Sequence, residues 1–484
     1  MLRPVNRLPP EILSTIARCF LDENAIDAGP IVPLTHVCRY WRESITLIPE
    51  NWTLISTGRI ELAAVSLERA KAARLNVDID IRQLSDSGSF GPLVPYTQNI
   101  DTLHVCDLPG VEELTRAVPN FPRSTPNLRS LTLLCAYTHD KWDIFDPFES
   151  LTHPLKHLSL FNIPLYPSLL SLKTLTTLSL RYHSFGLQLD TLLTFLEQNR
   201  SLESATLDIR FTGPSLRNSR RRAAIKSRLR HLSISCNNPV NAQVLISNIT
   251  LRKGAHLEIS SLDRNTGLKD VLFDISTAHL SNLPSPAFME YQSYPRDIRW
   301  FGPNGSFSFS CSPSSHTPLV ELPLLSLTNI REFRLEHHKP KRLPPYLNPL
   351  AFDPSHFPAL ETLVVDCDVD LSLLLAPLLS NPASPSSLKT LAFLDCAITK
   401  SFMEELTQFA INRKDTASAR LHHVVIVSQG GGFPTATSIR ELGMHVPVVD
   451  VRFGTKLPTD LTSGRLADTS PRSFWRIRAH HLCS

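Results

Sequence analysis

A glycine triplet, three histidine doublets, a run of arginines and nine scattered cysteines are the residues of this chain whose types and spacing could do chemistry. Gly430-Gly431-Gly432 follows the apolar run Val424 to Val427, the order in which a strand delivers a phosphate-cradling loop. No Lys-Ser/Thr follows, and Thr435 takes the last place of a G-x-G-x-x-G pattern, so a plain turn is the reading. His337-His338, His422-His423 and His480-His481 put neighbouring rings on opposite sides of an extended chain, a poor grip on one metal ion. No H-E-x-x-H, G-x-S-x-G or acid pair of catalytic spacing accompanies them. The cysteines form no C-x-x-C pair, which argues against structural zinc and against a disulfide framework. Arg217, Arg220, Arg221, Arg222, Lys226, Arg228 and Arg230 lie close together with no acid among them, as RNA contact or nuclear import would need. No aromatic interleaves with them, so a base-stacking surface is missing and a solvated segment between elements is the simpler account. We therefore expect no catalytic residue, no metal and no cofactor, and a protein that is not an enzyme.

The rest of the chain must position these residues. It has 484 residues, 42% apolar and 19% charged, a globular mixture. Leucine reaches 75 residues while glycine falls to 17, which excludes collagen-like and Gly/Ser linker chains. A net charge of +4 permits nucleic-acid contact without calling for it. The longest leucine-rich run, Leu371 to Leu379, is far short of the ~20 residues that span a bilayer. The first residues also lack the apolar run of a secretory signal. No membrane partner is expected, and the expected location is cytoplasmic, nuclear or both.

At the N-terminus, Pro10 and Glu11 suit the first turn of a helix carrying Ile12, Leu13, Ile16 and Phe20 on one face. A second amphipathic segment places Leu34, Val37, Cys38, Trp41 and Ile45 three and four apart, ending at Pro49. About fifty residues are too few for their own core, so these helices must lean on something. Leu8-Pro9-Pro10-Glu11-Ile12-Leu13 with Ile16, then Val37-Cys38-Arg39-Tyr40-Trp41-Arg42 and Pro49-Glu50-Asn51-Trp52, resemble an F-box, with a longer, proline-rich connection from Asn24 to Pro33. The resemblance covers about a tenth of the chain. It implies a module, residues 1–58, that binds the Skp-type linker subunit of an SCF ubiquitin ligase and through it a cullin. Leu8, Pro9, Ile12, Leu13, Ile16, Val37 and Trp41 would be its contact and core set.

Beyond the module a pattern L-x-x-L-x-L recurs. Its units begin at Ile100, Leu128, Leu155, Leu175, Leu202 and Leu229, 20 to 28 residues apart, and a weaker one starts at 254 with Leu257 and Ile259. Four more begin at Ile330, Leu360, Leu388 and Leu421. A period in the twenties marks a leucine-rich-repeat solenoid. The fold class is therefore an α/β repeat: a small helical module, then a degenerate solenoid over residues 59–454. Parallel strands would line its concave face and helices its convex face, with an irregular insert at about 262–328 and a tail at 455–484. Helices are expected at Ile60 to Leu75, Asp190 to Asn199, Asn241 to Ile249, Asp370 to Leu379 and Phe402 to Ile411, and a first strand around Val77, Ile79 and Ile81. Within the insert, Asp297 onward reads as two strands joined at Gly302 to Gly305. Asn237 and Cys396 fill the place where a repeat wants a small polar group to bond backbone left open at a strand end.

Alternation along each strand turns the leucines inward and the residues between them outward. Arg181, Asp208, Glu332, Arg334, Glu336 and Asp366 would then offer charges to a protein target of unknown identity. Val364, Leu394, Val425 and Val427 would be exposed instead as an apolar patch. Such patches are functional or hidden, and we read this one as covered, by a loop or by the tail from Thr455. The function expected is a substrate-recruiting adaptor of an SCF-type ligase. The alternatives are a non-ligase interaction scaffold and, behind it, an RNA-binding repeat protein.

Overall fold

The computed structural model describes residues 8–135, 146–211, 225–261, 288–311, 329–337 and 356–453, apart from breaks of one to five residues. Asn237, most of the basic stretch 217–230, the glycine triplet, the doublet at 480–481 and the tail 455–484 lie outside the described residues. The chain divides into two compact units. The first comprises residues 1–284 and 304–314, the second 285–303 and 315–484.

The first unit opens with α1 (Pro10–Asp22), α2 (Val32–Thr35) and α3 (Arg39–Thr46). In α1 the buried stripe is Leu13, Ala17 and Leu21, four residues apart, while Ile12 and Phe20 face away. The single face expected from Ile12 to Phe20 is thus two adjacent stripes, one turned in and one turned out. The second amphipathic segment is also broken: Cys38 is fully extended and separates α2 from α3, which leaves Val37 on a connector. A 3₁₀ turn, Pro49–Trp52, buries Trp52 and leads straight into strand β1 (Leu54–Ser56). Helix α4 (Ile60–Ala70) then carries the chain to β2 (Leu75–Asp80).

From there the strands of the first unit follow one another in parallel and in register. They are β3 (Ile100–Cys106), β4 (Ser130–Leu134), β5 (His157–Phe161), β6 (Thr177–Leu187), β7 (Ser204–Phe211), β9 (His231–Cys236) and β11 (His256–Ser261). A short pair, β8 (Ile225–Lys226) and β10 (Ile249–Thr250), stands apart from them. β1 pairs with β2, so the helical module is joined to the sheet by its first strand. Leucines of the recurring pattern are the reason for the register. Leu103, Leu131, Leu158, Leu178, Ala205, Leu232 and Leu257 are consecutive partners, all at most 1% exposed. A slip of one residue would turn that whole row to the other face. Helices α5 (Val111–Ala117), α6 (Leu189–Gln198) and α7 (Pro239–Asn248) connect strands, the last two close to where the sequence places them.

The insert resolves differently from the sequence reading. Two strands flank the expected glycines, β13 (Arg296–Gly302) and β14 (Gly305–Cys311). β14 belongs to the first unit, where it runs parallel to β11. β13 belongs to the second, where it pairs antiparallel with an unanticipated strand, β12 (Phe288–Ser293). β12 in turn runs parallel to β15 (Glu332–His337). The second unit continues in parallel through β16 (Thr362–Cys367), β17 (Thr390–Leu394), β18 (His423–Ser428) and β19 (Val448–Phe453). Its helices are α8 (Leu371–Leu374), α9 (Ala376–Ser380), α10 (Lys400–Lys414) and α11 (Ala436–Gly443). Phe402, Met403, Leu406 and Phe409 of α10 are buried, with Phe402 edge-on to Phe393 at 5.2 Å.

The strand-end expectation holds at Cys396, and Cys106 and Asn162 do the same in the first unit without having been singled out by the pattern. Cys106 donates its thiol hydrogen to the Ile79 carbonyl at 3.5 Å, Asn162 its amide to Cys135 at 3.5 Å and Cys396 its thiol hydrogen to Val365 at 3.4 Å. Each acceptor sits on the preceding repeat of its own unit. A small polar side chain therefore satisfies backbone left open where a parallel strand stops. The Cys135 amide in turn donates to Phe161 at 3.0 Å.

Candidate functional site: an apolar helical face and two unlike sheet faces

The helical module is held from behind. Trp52 Nε1 and Asn51 Nδ2 both donate to the Ile45 carbonyl at 3.2 Å, and the Arg69 guanidinium of α4 lies 4.2 Å over the Trp52 ring. Tyr40 donates its hydroxyl to the Leu8 carbonyl at 2.7 Å, tying the Leu8-Pro9-Pro10 segment to α3. Arg42 donates to the Thr35 carbonyl at 3.0 Å, bracing the break between α2 and α3. With its back so fixed, the module presents Ile12, Phe20, Val37 and Leu47 at 46%, 55%, 51% and 72% exposure. Of the seven residues named from the sequence, Pro9, Ile12 and Val37 are exposed, Leu8 and Ile16 half-buried, and Leu13 and Trp41 buried in the core. Phe20 and Leu47 join the exposed set. Their signal was available in the spacing, since Phe20 is two turns from Ile12 on the outer stripe.

The outer face of the first unit's sheet is polar. Along its middle row the partners are His104, Thr132, Ser159, Ser179, Thr206, Ser233 and Glu258, all half-buried. Arg181 and Asp208 are neighbours in the next row, Arg181 exposed and Asp208 half-buried. At the β2 end, His104 bonds Asp78 through Nδ1. Beside it Arg82 spans Asp80 at 3.4 Å and Asp107 at 2.5 Å.

Asp80, Cys106 and Asp107 lie close enough to share an ion, yet the Arg82 guanidinium already neutralises both carboxylates. Burial, seconded by Asp78, Asp80 and Asp107, pushes the Cys106 thiol up to about 12. At neutral pH that sulfur is a protonated donor and not a nucleophile. Cys106 thus lacks the lowered pKa that a nucleophilic thiol needs.

The second unit places Glu332, Arg334 and Asp366 on adjoining strands, and Arg334 meets Asp366 at 3.3 Å. Burial raises the Glu332 carboxyl above its usual range, with Arg334 opposing the shift. Glu336 takes its register position opposite Asp366, and its side chain lies outside the described ones. The six charges named from the sequence are therefore divided between the two units, and two of them are engaged with each other. Next to them Val364, Ala392, Leu394, Val425 and Val427 form a cluster only 0–6% exposed. The patch expected to be hidden is hidden. No helix among the described residues is long and apolar enough to cross a membrane. Compared with protein-family models and with curated proteins, the chain matches none, so its own residues carry the functional argument.

Proposed function

We propose that this chain recruits a protein target to an SCF-type ubiquitin ligase, its N-terminal module acting as an F-box and its parallel strands as the concave face of a leucine-rich-repeat solenoid. The observation that carries the reading is the apolar outer stripe of the module. Ile12, Phe20, Val37 and Leu47 are exposed while Leu13, Ala17, Trp41 and Ile45, interleaved with them, build the core. A helical pair that only capped the sheet would have no use for four large apolar groups in water. Burying a whole side chain of this kind yields ~1.5–3 kcal/mol. Four half-exposed ones yield about half as much each, and association takes back an estimated ~4–15 kcal/mol, so flanking contacts must add to them.

The solenoid reading draws support from strands that follow chain order, parallel and in register, with helices between some of them. Catalysis in this scheme is proximity: a target held on the array sees a high effective concentration of the ubiquitin-carrying thioester. The test is co-purification from cells of the intact chain and an Ile12→Asp/Val37→Asp variant, both sites being exposed and so tolerant of charge. Recovery of a Skp-type linker and a cullin with the intact chain alone, at an unchanged melting temperature, is expected. Recovery of the linker without a cullin would favour a scaffold outside the ligase. Equal recovery with both chains would end the F-box reading.

A further inference from the structure

One edge of the first unit's sheet is charged in a single sense. The parallel strands from β2 to β11 all start along it, and the residues leading into them are joined through their backbones. The Arg129 amide donates to Asp101, that of Lys156 to Arg129, that of Glu203 to Thr176 and that of Arg230 to Glu203, at 2.7–2.8 Å. Take the five residues before the first outward position of each strand, from Asn76 in β2 to His256 in β11. Their described side chains include Lys71, Arg74 and Arg129, then Lys156, Lys173 and Arg200, then Arg228, Arg230 and Arg252. Asp101 and Glu203 are the acids among them. Arg74 and Arg129 share Asp101 at 3.3 and 3.6 Å. The other seven cations are exposed and have no carboxylate partner among the described residues. The second unit supplies an internal control. Its ladder reads Arg331, Glu361, Lys389 and His422, and Glu361 takes both cations, at 4.0 and 3.4 Å.

A line of unpaired cations attracts a polyanion. A protein partner would want aromatic or aliphatic anchors as well, and among the described residues no large apolar side chain is exposed between Val94 and Met444. Without an exposed aromatic the edge cannot stack the bases of a single strand either. What remains is a backbone that turns its phosphates outward. Thr102, Ser130, Thr177 and Ser204, all half-buried, line the first outward row beside the cations. Cations with neighbouring hydroxyls are the side chains that bond phosphate oxygens. We propose that this edge binds the phosphate backbone of a double-stranded nucleic acid without reading its sequence. From β2 to β11 the edge runs about 34 Å at the usual spacing of strands. That is about one turn of a duplex, which carries on the order of twenty phosphates, more than the seven free cations need. The inference stands apart from the F-box reading, since its readout involves no ligase subunit.

The experiment measures the fluorescence anisotropy of labelled RNA and DNA duplexes of one sequence, each about two turns long, with the full chain over a salt series. Salt-dependent binding to at least one duplex is expected, and the tighter of the two names the source of the phosphates. Lys156→Gln/Lys173→Gln/Arg200→Gln should weaken binding by at least about tenfold. It should also lower the slope of log affinity against log salt by about 2.7 on DNA. Arg331→Gln/Lys389→Gln, on the paired ladder, should leave affinity within about twofold. All five side chains are exposed, so neither variant should move the melting temperature. The first variant keeps residues 217–222, so unchanged binding would assign the contact to that basic stretch and overturn the proposal. No binding to either duplex, an equal loss in the two variants, or displacement of the duplex by poly-glutamate at equal charge would overturn it as well.

Discussion

β5 to β7 and β16 to β18 place residues at the same register positions, yet the two triplets end with opposite outer faces. In the first the row is Ser159, Ser179 and Thr206, half-buried and carrying hydroxyls. In the second it is Val364, Ala392 and Val425, at most 6% exposed. The inner rows do not differ in kind, being leucine, isoleucine, valine, alanine and phenylalanine at 0–1% exposure in both. Stability of each sheet is thus set by its inner face, and the outer face is free to be specialised. Hydroxyls keep one sheet wet and open to a polar partner. Valines and an alanine keep the other almost wholly out of water.

The strongest way to break this comparison is to put the same charge at the same register position on both sides. Val425→Asp should cost at least about 3 kcal/mol, because it strands a carboxylate at a position that is 0% exposed. Ser179→Asp, on a half-buried face, should cost less than about 1 kcal/mol. Denaturant midpoints of the two variants measure the contrast. Similar losses would mean that the two outer faces are equally covered.

A smaller effect sharpens it. Arg413 of α10 is 0% exposed and donates to the carbonyls of Pro385 and Leu388 at 3.0 Å each. Burial pulls its guanidinium down to about 10, still charged at neutral pH. The second unit thus secures the approach to β17 with a long buried cation, where the first uses a short group such as Thr174, which donates to the Leu155 carbonyl at 2.9 Å ahead of β6. Arg413→Met keeps the bulk and abandons two carbonyls, so a loss of about 2–3 kcal/mol is expected in a thermal or denaturant melt.

The smallest expected effect is a pH dependence on the polar face. His231 stacks on His256 at 5.0 Å, and burial lowers its pKa below the ordinary 6.5, with Glu258 opposing. The unfolded chain therefore takes up this proton first as pH falls. Stability present above about 6.5 is lost progressively below it, down through the depressed folded value. A His231→Gln chain should show a flatter melting-temperature profile between pH 7 and about 5. If the two profiles coincide, the outer row of the first unit is wetter than its burial implies.

Much of this was legible beforehand for one reason. A leucine every second or third residue, repeated in the twenties, can be buried only by stacking strands side by side, so β3 to β7 and β15 to β18 fall on the recurring pattern. The helices Leu189–Gln198 and Lys400–Lys414 were legible for the same reason. β12, reading Phe-Met-Glu-Tyr-Gln-Ser, has no clean alternation and was missed, as was the split it makes in the insert. On α1, Ile12 and Leu13 look alike in sequence, and adjacent apolar residues do not say which one faces the core. Asp78 and His104 are 26 residues apart, and no local pattern announces that they share a hydrogen bond.

The amino-acid sequence by itself determined the inward rows, the parallel order and the polar caps at strand ends, because these depend on period and on the backbone's own unpaired groups. Only the tertiary structure decided which apolar residues remain in water and which polar ones pair. Ile12 stays exposed and Val425 does not, and Arg82 reaches both Asp80 and Asp107. Those outcomes depend on what lies across from a side chain, which is a matter of packing in three dimensions and not of spacing along the chain.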